Sequence, residues 1–345
     1  MRLILIMFLI LNCGSQSIKW KLFEGKRLKK KAENKLKVSF ERNYRKLLTE
    51  EIKSLKKKYP EISKIGHRVV HGGDKFRDPV EVTPEVLKEL EKLNKFAPLH
   101  NPFNILGIKI ARQIFPKSVN IAVFDTGFFK HLPKKSYTYA IPENIREKYK
   151  FKKFGFHGIS HEYLAKEASK KLNKPLERLN LITCHLGGGS SITAIKNGYP
   201  IDTSMGFTPL EGLVMMTRCG DIDPGIILYL TSLKGVKKVN HILNYQSGIK
   251  GICGFSEMTD VLNEVKKGNK KAKLALDIFV YRIQKYICAY FGILKRVDVI
   301  VFSGTIGYGS SKIRNMIVKD LTLLKNTKVF AIKTDEELAI AQKII

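Results

Sequence analysis

The stretch Thr183–Pro224 reads TCHLGGGSSITAIKNGYPIDTSMGFTPLEGLVMMTRCGDIDP, and the order of residue types in it constrains both architecture and chemistry. It continues an apolar run, LNLITCHL, whose length and lack of charge predict a buried strand. The run breaks into Gly187, Gly188, Gly189, Ser190 and Ser191. Glycines let backbone N–H groups approach an anion closely and the two hydroxyls add donors without charge, so a strand turning through such a loop can cradle a phosphate. An ordinary glycine-rich hairpin turn has the same composition. The residues downstream favour a site: Asp202, Thr208, Glu211, Arg218, Asp221 and Asp223 share one segment with Met205, Phe207, Pro209 and Leu210. Such mixing of charge and apolar surface is expected of a closed substrate site.

At 345 residues the chain is long enough for two α/β domains, each with its own core. A hydrophobic content of 44% and a mean hydropathy of −0.13 predict a soluble globular protein. No uninterrupted apolar run reaches the roughly 18 residues of a spanning helix, so no membrane association is expected. The 62 Lys and Arg outnumber the 31 Asp and Glu, for a net charge of +31, which by itself would suggest nucleic-acid binding. The lysines are scattered, and their clusters at 26–37, 53–58 and 266–273 carry no interleaved aromatics. They read as solvated faces, and no nucleic-acid partner is expected. Five cysteines, an odd number without a CxxC pair, predict a reduced, cytoplasmic chain.

The N-terminal MRLILIMFLILNC imitates a short lipoprotein leader, but Asn12 precedes Cys13 where a small residue is wanted. Asn12–Ser17 reads as a second phosphate-type hairpin, with Gly14 for the tight turn, hydroxyls at Ser15 and Ser17, and a positive charge at Lys19. A strand near Leu36–Phe40 and a helix over Tyr44–Lys58 are expected next. Ile65–Gly73 reads as a strand ending in a glycine turn, and alternation puts Arg68 and Val70 on one face. His67 and His71 read as structural, because no acidic third ligand is near them in the sequence. Helices are expected over Pro84–Lys95, from Asn101–Pro102 onward, and over Glu162–Leu172, Gly225–Leu233, Lys238–Asn244, Asn269–Gly292 and Ser311–Leu321. Buried strands are expected at Val119–Thr126, ending on Asp125, and at Val297–Ser303. A carboxylate at the end of a strand in an α/β protein is a common catalytic placement. His157 and His161 lie four apart, but glycine and serine intervene where a zinc protease carries glutamate, so zinc is not expected.

DTSMGFTPLEGL, TRCGDIDP, IGHRVVHGG and KKFGFHGISH together resemble the acetate kinase family, within the superfamily of acetate and sugar kinases, heat-shock chaperone ATPases and actin. The resemblance covers nearly the whole chain. It implies two ribonuclease-H-like α/β domains with the nucleotide in the cleft between them. The expected N-terminal domain is 1–129, to which a C-terminal helix 337–345 returns, and the nucleotide-binding domain is 130–336. The implied reaction is reversible transfer of the ATP γ-phosphoryl group to acetate, giving acetyl phosphate and ADP. Mg2+, or Mn2+ in its place, a homodimer and a cytoplasmic location are implied with it. Carried onto matching positions, the family motifs assign acetate binding to Arg68, Val70, Leu99, His100, Phe156 and Pro209. Catalysis falls to Asp125, His157 and Arg218, and metal binding to Asn12 and Glu336. Nucleotide contacts fall to Ser15, Ser17, Lys19, His185, Leu186, Gly187, Gly188, Gly189, Glu257, Met258, Thr259, Thr305, Ile306, Gly307, Tyr308 and Gly309.

Departures from the family pattern cluster on the nucleotide side. Its S-D-[ML]-R-D becomes Ser256 to Asp260 with Thr259 for the arginine, its G-G-I-G-E-N becomes Gly304 to Gly309, and Gly188 replaces an asparagine. A-F-H becomes Gly127, Phe128, Phe129, and two segments are shortened. These changes suggest a retained reaction with an altered phosphoryl donor, or a degenerate nucleotide-binding pseudo-enzyme. Met1–Cys13 alone suggests a secreted or lipid-anchored binding protein.

Overall fold

Residues 7–11 are apolar at every position, a run that suits a strand covered on both faces. They are buried in β1 (Met7–Gly14). The computed structural model describes residues 6–15, 17–38 and 43–345. Two compact units divide the chain: Met1–Lys130 with Phe156–Ser160 and Asp335–Ile345, and His131–Gly155 with His161–Thr334.

In the first unit β1 turns into β2 (Ser17–Glu24) and then β3 (Lys29–Lys37), an antiparallel meander. β4 (Ile62–Val69) and β6 (Val119–Phe124) run parallel to β1, and the short β5 (Val80–Glu81) closes the edge, for the order β3-β2-β1-β4-β6-β5. The strand expected at Leu36–Phe40 lies earlier. The turn after β2 passes through Gly25 at φ 67°, and the register it sets pairs Glu24 with Lys29 and Ser17 with Lys37; residues 39–42 lie outside the described residues. The lysine cluster of 26–37 is thus largely the outermost strand, where charge blunts further pairing. Met7, Leu9, Leu11 and Cys13 share a core with Leu48 and Ile52 of the helix Tyr44–Lys58 and Ile110 of the helix Asn101–Ile114. On the opposite face the helix Glu336–Ile344 lies against Gly66, where an added Cβ would come within 2.8–2.9 Å of Ile10, Ile340 and Ile344. That close approach fixes where Glu336 begins its helix.

The second unit repeats the plan. β7 (Asn180–Leu186), β8 (Ser190–Lys196) and β9 (Tyr199–Thr203) form an antiparallel meander, with β10 (Val299–Ser303) and β11 (Lys328–Ala331) parallel to β7 on its other side. A meander followed by parallel crossovers beside its first strand is the ribonuclease-H-like arrangement, here present twice without a sequence repeat. The helix Lys270–Leu294 is capped by Asn269, whose Oδ1 accepts from Ala272 N at 3.1 Å. Its buried row Ala275, Leu276, Phe279, Ile283 and Ile287 shares a core with Ile182, Cys184, Ile300 and Phe302 of the sheet. The helix expected from Glu162 starts earlier, at Gly158. Among the described residues no helix is long and apolar enough to cross a membrane.

Candidate active site

β4 and β6 are parallel neighbours in register at Arg68 and Val123, so both release their next residues at the same end of the sheet. There the Arg68 guanidinium is clamped by carboxylates. Nη2 donates to Asp125 Oδ2 at 2.6 Å, Nε donates to both Asp125 oxygens at 3.1 and 3.2 Å, and Nη1 donates to Glu336 Oε2 at 3.1 Å. Asn12 completes the group. Its Oδ1 accepts from Arg68 Nη1 at 3.4 Å, and its Nδ2 donates to Glu336 Oε2 at 3.1 Å and Glu337 Oε1 at 2.9 Å. Asp125 is 1% exposed. Burial pushes its carboxyl above the usual range against the pull of Arg68, with Glu336 adding to the rise. For Arg68 burial acts downward, and attraction to Asp125 and Glu336 more than offsets it. Arg68, Asp125, Asn12 and Glu336, far apart in sequence, are one cluster.

The FHG motif has a local physical cause. His157 sits at φ 56°, a left-handed conformation that costs a non-glycine residue energy. Gly158 N donates to the Asp125 carbonyl at 3.0 Å, and a Cβ on Gly158 would lie 2.0 Å from that oxygen. The His157 amide supports the Asp125 carboxylate as well. Phe156 is 1% exposed and meets His71 edge-on at 5.5 Å. Val70 is buried, and Leu99 and His100 are half-buried just before the helix Asn101–Ile114.

Sequence reading missed two positioning residues here. Asn104 Oδ1 accepts from Val70 N at 3.0 Å while its Nδ2 donates to Cys13 O at 2.6 Å; Asn101 takes His71 N and gives to His71 O, both at 3.0 Å. Two asparagines three apart in an apolar helix were the available signal. Of the N-terminal hairpin, Ser15 is exposed and Ser17 and Lys19 half-buried, with Gly14 paired to Ser17. Gly14 is not left-handed, and Gln16 lies outside the described residues.

In the second unit the glycine loop is the β7–β8 hairpin turn. Gly187 N donates to Gly189 O at 3.0 Å. The two serines are fully buried and engaged within the protein: Ser190 Oγ donates to Gly187 O at 3.2 Å, and Ser191 Oγ lies 2.7 Å from His161 Nε2. His161 Nδ1 meets Thr183 Oγ1 at 2.8 Å, and burial keeps this imidazole neutral. His161 therefore ties its helix to both strands of the hairpin.

The carboxylates downstream also have partners within the protein. Asp223 caps the helix Pro224–Lys234 by accepting from Gly225 N at 2.7 Å. Asp221 accepts from Gly212 N at 2.8 Å and from Tyr286 Oη at 2.7 Å. Glu211 accepts from the Tyr139 hydroxyl and from Lys153 Nζ at 2.6 Å, and Asp202 from Thr203 N at 2.7 Å. These bonds shape the loop that carries Arg218. Arg218 Nη1 donates to Pro209 O at 3.3 Å, and among the described residues no carboxylate is within ion-pair distance. Burial lowers its pKa, and Tyr245 offsets only part of the fall. Met216 N donates to Gly188 O at 3.3 Å, which joins this loop to the glycine turn.

Of the nucleotide-side positions, Leu186, Met258 and Ile306 belong to the hydrophobic core, so only their backbone can face a ligand. Gly187 lies beside Thr305, whose Oγ1 would be 3.3 Å from a Cβ on the glycine, and Gly304 at φ 79° passes under Leu186 O. The 185–189 and 304–309 loops are therefore adjacent. His185 is half-buried, Ile306 and Gly307 are buried, and Glu257, Thr259, Thr305, Tyr308 and Gly309 are exposed.

A family model described as the acetokinase family matches residues 27–343. The chain belongs to the acetokinase family. It is 41% identical over 388 aligned positions to the acetate kinase of Alkaliphilus metalliredigens, covering 97% of this chain and 98% of that protein. To the acetate kinase of Halothermothrix orenii it is 45% identical over 307 positions, covering 82% and 77%. Among solved structures, a propionate kinase from Francisella tularensis superposes with a TM-score of 0.89 at 36% identity over 98% of each chain. The acetate kinase of Porphyromonas gingivalis gives 0.87 at 33% identity over 97% and 98%. In this acetokinase Phe129, at the position of the family histidine, is 1% exposed and packs edge-on against Phe128 at 5.5 Å. Nothing lies within 4 Å of a Cβ built on Gly188.

Proposed function

We propose that this chain transfers the γ-phosphoryl group of ATP to acetate, giving acetyl phosphate and ADP, and runs the reverse reaction on the same groups. The observation that carries this reading is Arg218, a desolvated guanidinium without a protein carboxylate, set on a family motif. Arg218 is half-buried, and a partly desolvated cation of this kind suits an anionic partner. Arg68 would bind the acetate carboxylate, with Val70, Leu99 and Phe156 giving the methyl group its apolar wall beside His100; Pro209, in the second unit, belongs to the same assignment. An acetate oxygen attacks the γ-phosphorus in line, so the protein chiefly positions reactants and neutralises developing charge. Arg218 and His157 would each supply roughly 2–4 kcal/mol of transition-state stabilisation. Asp125 would orient Arg68. The backbone of 185–189 would take phosphates, with Ser15, Ser17 and Lys19 assisting, and 257–259 with 305–309 would take the adenosine.

Among the described residues no group of three or more His, Cys, Asp or Glu is placed to hold a metal ion. Mg2+ that travels with substrate phosphates needs only one or two protein carboxylates and keeps several waters. Asp125, Glu336 and the Asn12 amide oxygen are hard oxygen donors gathered round one guanidinium, and this set fits Mg2+ or Mn2+. The ion would neutralise phosphate charge.

A homodimer is part of the proposal. The helix Pro224–Lys234 buries none of its residues, and Leu228, Tyr229 and Leu233 are 73, 67 and 62% exposed, an apolar face suited to a second copy. Five free cysteines support a cytoplasmic location. Trapping acyl phosphate as its hydroxamate, with acetate, ATP and Mg2+ supplied, tests the central reading. Hydroxamate that forms only with all three supports it, and none at any enzyme concentration rejects it.

A further inference from the structure

The Arg68 cluster holds more than one reagent can use at once. A guanidinium has five N–H donors. Here Nε and Nη2 form the fork on Asp125, and Nη1 spreads over Glu336 Oε2 and Asn12 Oδ1. At most one donor, on Nη2, is left for a ligand. Holding a substrate carboxylate by two parallel bonds needs a fork, and the forked edge already faces Asp125. The three residues whose oxygens Arg68 engages, Asp125, Glu336 and Asn12, are also those suited to a divalent cation. The clamp lies within the first unit, and Arg68 is 16% exposed at the side chain.

Building on the acetate and metal assignments above, we infer that a divalent cation and the carboxylate substrate bind cooperatively through Arg68, which the cation releases from Asp125 and Glu336 and the carboxylate draws away from them. Cation and guanidinium compete for the same oxygens. Asp125 and Glu336 repel each other unless a positive charge lies between them, so one cation must replace the other as the guanidinium leaves. A carboxylate that captures the Arg68 fork removes the competitor of the metal, and a metal that neutralises the carboxylates frees the fork. Linkage requires the two effects to be equal in size. Couplings of this kind are commonly about 5- to 150-fold. The coupling runs through Arg68 and its carboxylates, so it operates in the complex of protein, cation and carboxylate before any nucleotide binds. Acetamide, of the same shape but without charge, cannot draw the guanidinium away.

The test uses the full-length protein without nucleotide, with Mn2+ as the probe ion, followed by the electron paramagnetic resonance of free Mn2+. Acetate at saturation should tighten Mn2+ binding on the order of tenfold. Saturating Mn2+ should tighten acetate binding, measured by equilibrium dialysis, by the same factor, and acetamide should do nothing. Arg68→Lys, a point charge without a fork, should reduce the acetate effect to less than about twofold. Mn2+ binding that Glu336→Gln weakens but that ignores acetate in the wild type overturns the coupling and leaves the metal assignment standing. Mn2+ binding that Glu336→Gln leaves unchanged overturns the metal assignment and the coupling with it. Full coupling in Arg68→Lys also overturns the inference.

Discussion

Arg218 donates from Nη1 to the carbonyl of Pro209 at 3.3 Å, nine residues back along the same loop. The bond orients the guanidinium without neutralising it, and burial works against the charge. Replacing the side chain with alanine removes a charge that costs folding energy, so Arg218→Ala should leave the urea midpoint unchanged or slightly raised. Turnover should fall by about 100-fold or more, the worth of one preorganised donor to a developing charge. Circular dichroism with steady-state kinetics checks both. Turnover within twofold of wild type would remove Arg218 from the reaction.

Arg68→Ala should behave differently although both residues are arginines at the site. Removing it leaves Asp125, 1% exposed, and Glu336 facing each other without a cation. Breaking a buried pair from one side typically costs about 3–5 kcal/mol. The double variant Arg68→Ala/Asp125→Asn, which removes both charges, should recover part of that loss. If the double variant is as unstable as the single one, charge is not the reason.

Stability should fall as pH drops from about 6.5 toward 4, partly through His67. Burial pushes this imidazole down to about 4, although its Nε2 bonds to Asn120 Oδ1 at 2.8 Å. The unfolded chain takes up the proton near pH 6.5. Between the two values the unfolded state binds more protons, so the contribution is complete above about 6.5 and is lost on acidification, up to roughly 3 kcal/mol for this group. His71, also lowered to about 4 by burial, adds to the trend. His67→Gln should flatten the profile of urea midpoint against pH between 6.5 and 4. An unchanged slope would assign the acid sensitivity to other groups.

Both ribonuclease-H-like units were legible because their signals are local or matched long motifs. The apolar runs at β6, β7 and β10 fix strands by length and lack of charge, and Asn269 marks its helix start. What escaped were relations between distant side chains. Asp202, Glu211, Asp221 and Asp223 are read in one dimension only as charge in a short stretch, which does not show its partner. Their partners Tyr139, Lys153 and Tyr286 come from other parts of the chain, and Asp223 is satisfied by a helix start. For Ser190 and Ser191 a hydroxyl beside glycines can serve a phosphate or the turn itself, and only the fold shows their bonds to the Gly187 carbonyl and His161. Arg68 was assigned to a site, but its clamp by Asp125, Asn12 and Glu336 needed the fold to bring positions 12 and 336 together.

Gly188→Asn should strengthen nucleotide binding without a cost in stability. The position is not left-handed, and nothing lies within 4 Å of the new Cβ, so the side chain enters open space. An amide at the glycine turn adds a donor for phosphate, a hydrogen bond to a charged group worth about 1.5–3 kcal/mol. The KM for ATP should fall by about tenfold or more, with the thermal midpoint within 2 °C or so of the original. An unchanged KM would mean that the turn does not face the phosphates.

The last prediction concerns the phosphoryl donor. Thr259, at the position of the family arginine, is exposed in the first turn of the helix Met258–Lys266, while its neighbour Met258 is locked in the core. Tyr308 is 46% exposed, and Arg314 holds the backbone beneath it by donating from Nη1 to the carbonyls of Gly307 at 2.9 Å and Tyr308 at 2.7 Å. A ring on a fixed backbone can stack on any base, since every base offers a π-face, whereas a guanidinium reads particular acceptors. The nucleotide side should therefore bind weakly and discriminate poorly. KM for ATP and GTP, measured at saturating acetate, should lie within about fivefold of each other, and the KM for acetate should be insensitive to the choice of donor. Tyr308→Ala should raise both nucleotide KM values together, by about 1–3 kcal/mol if the ring stacks on the base. Thr259→Arg should lower the KM for ATP by about tenfold or more, the worth of a charged hydrogen bond. Helix geometry is indifferent to that change, because arginine and threonine are both tolerated at an exposed first-turn position and differ by only a few tenths of a kcal/mol or so in propensity. A strictly adenine-specific, low-micromolar KM in the unmodified chain would show that some other group has taken over the role of the missing arginine, and would sink this reading of the nucleotide half.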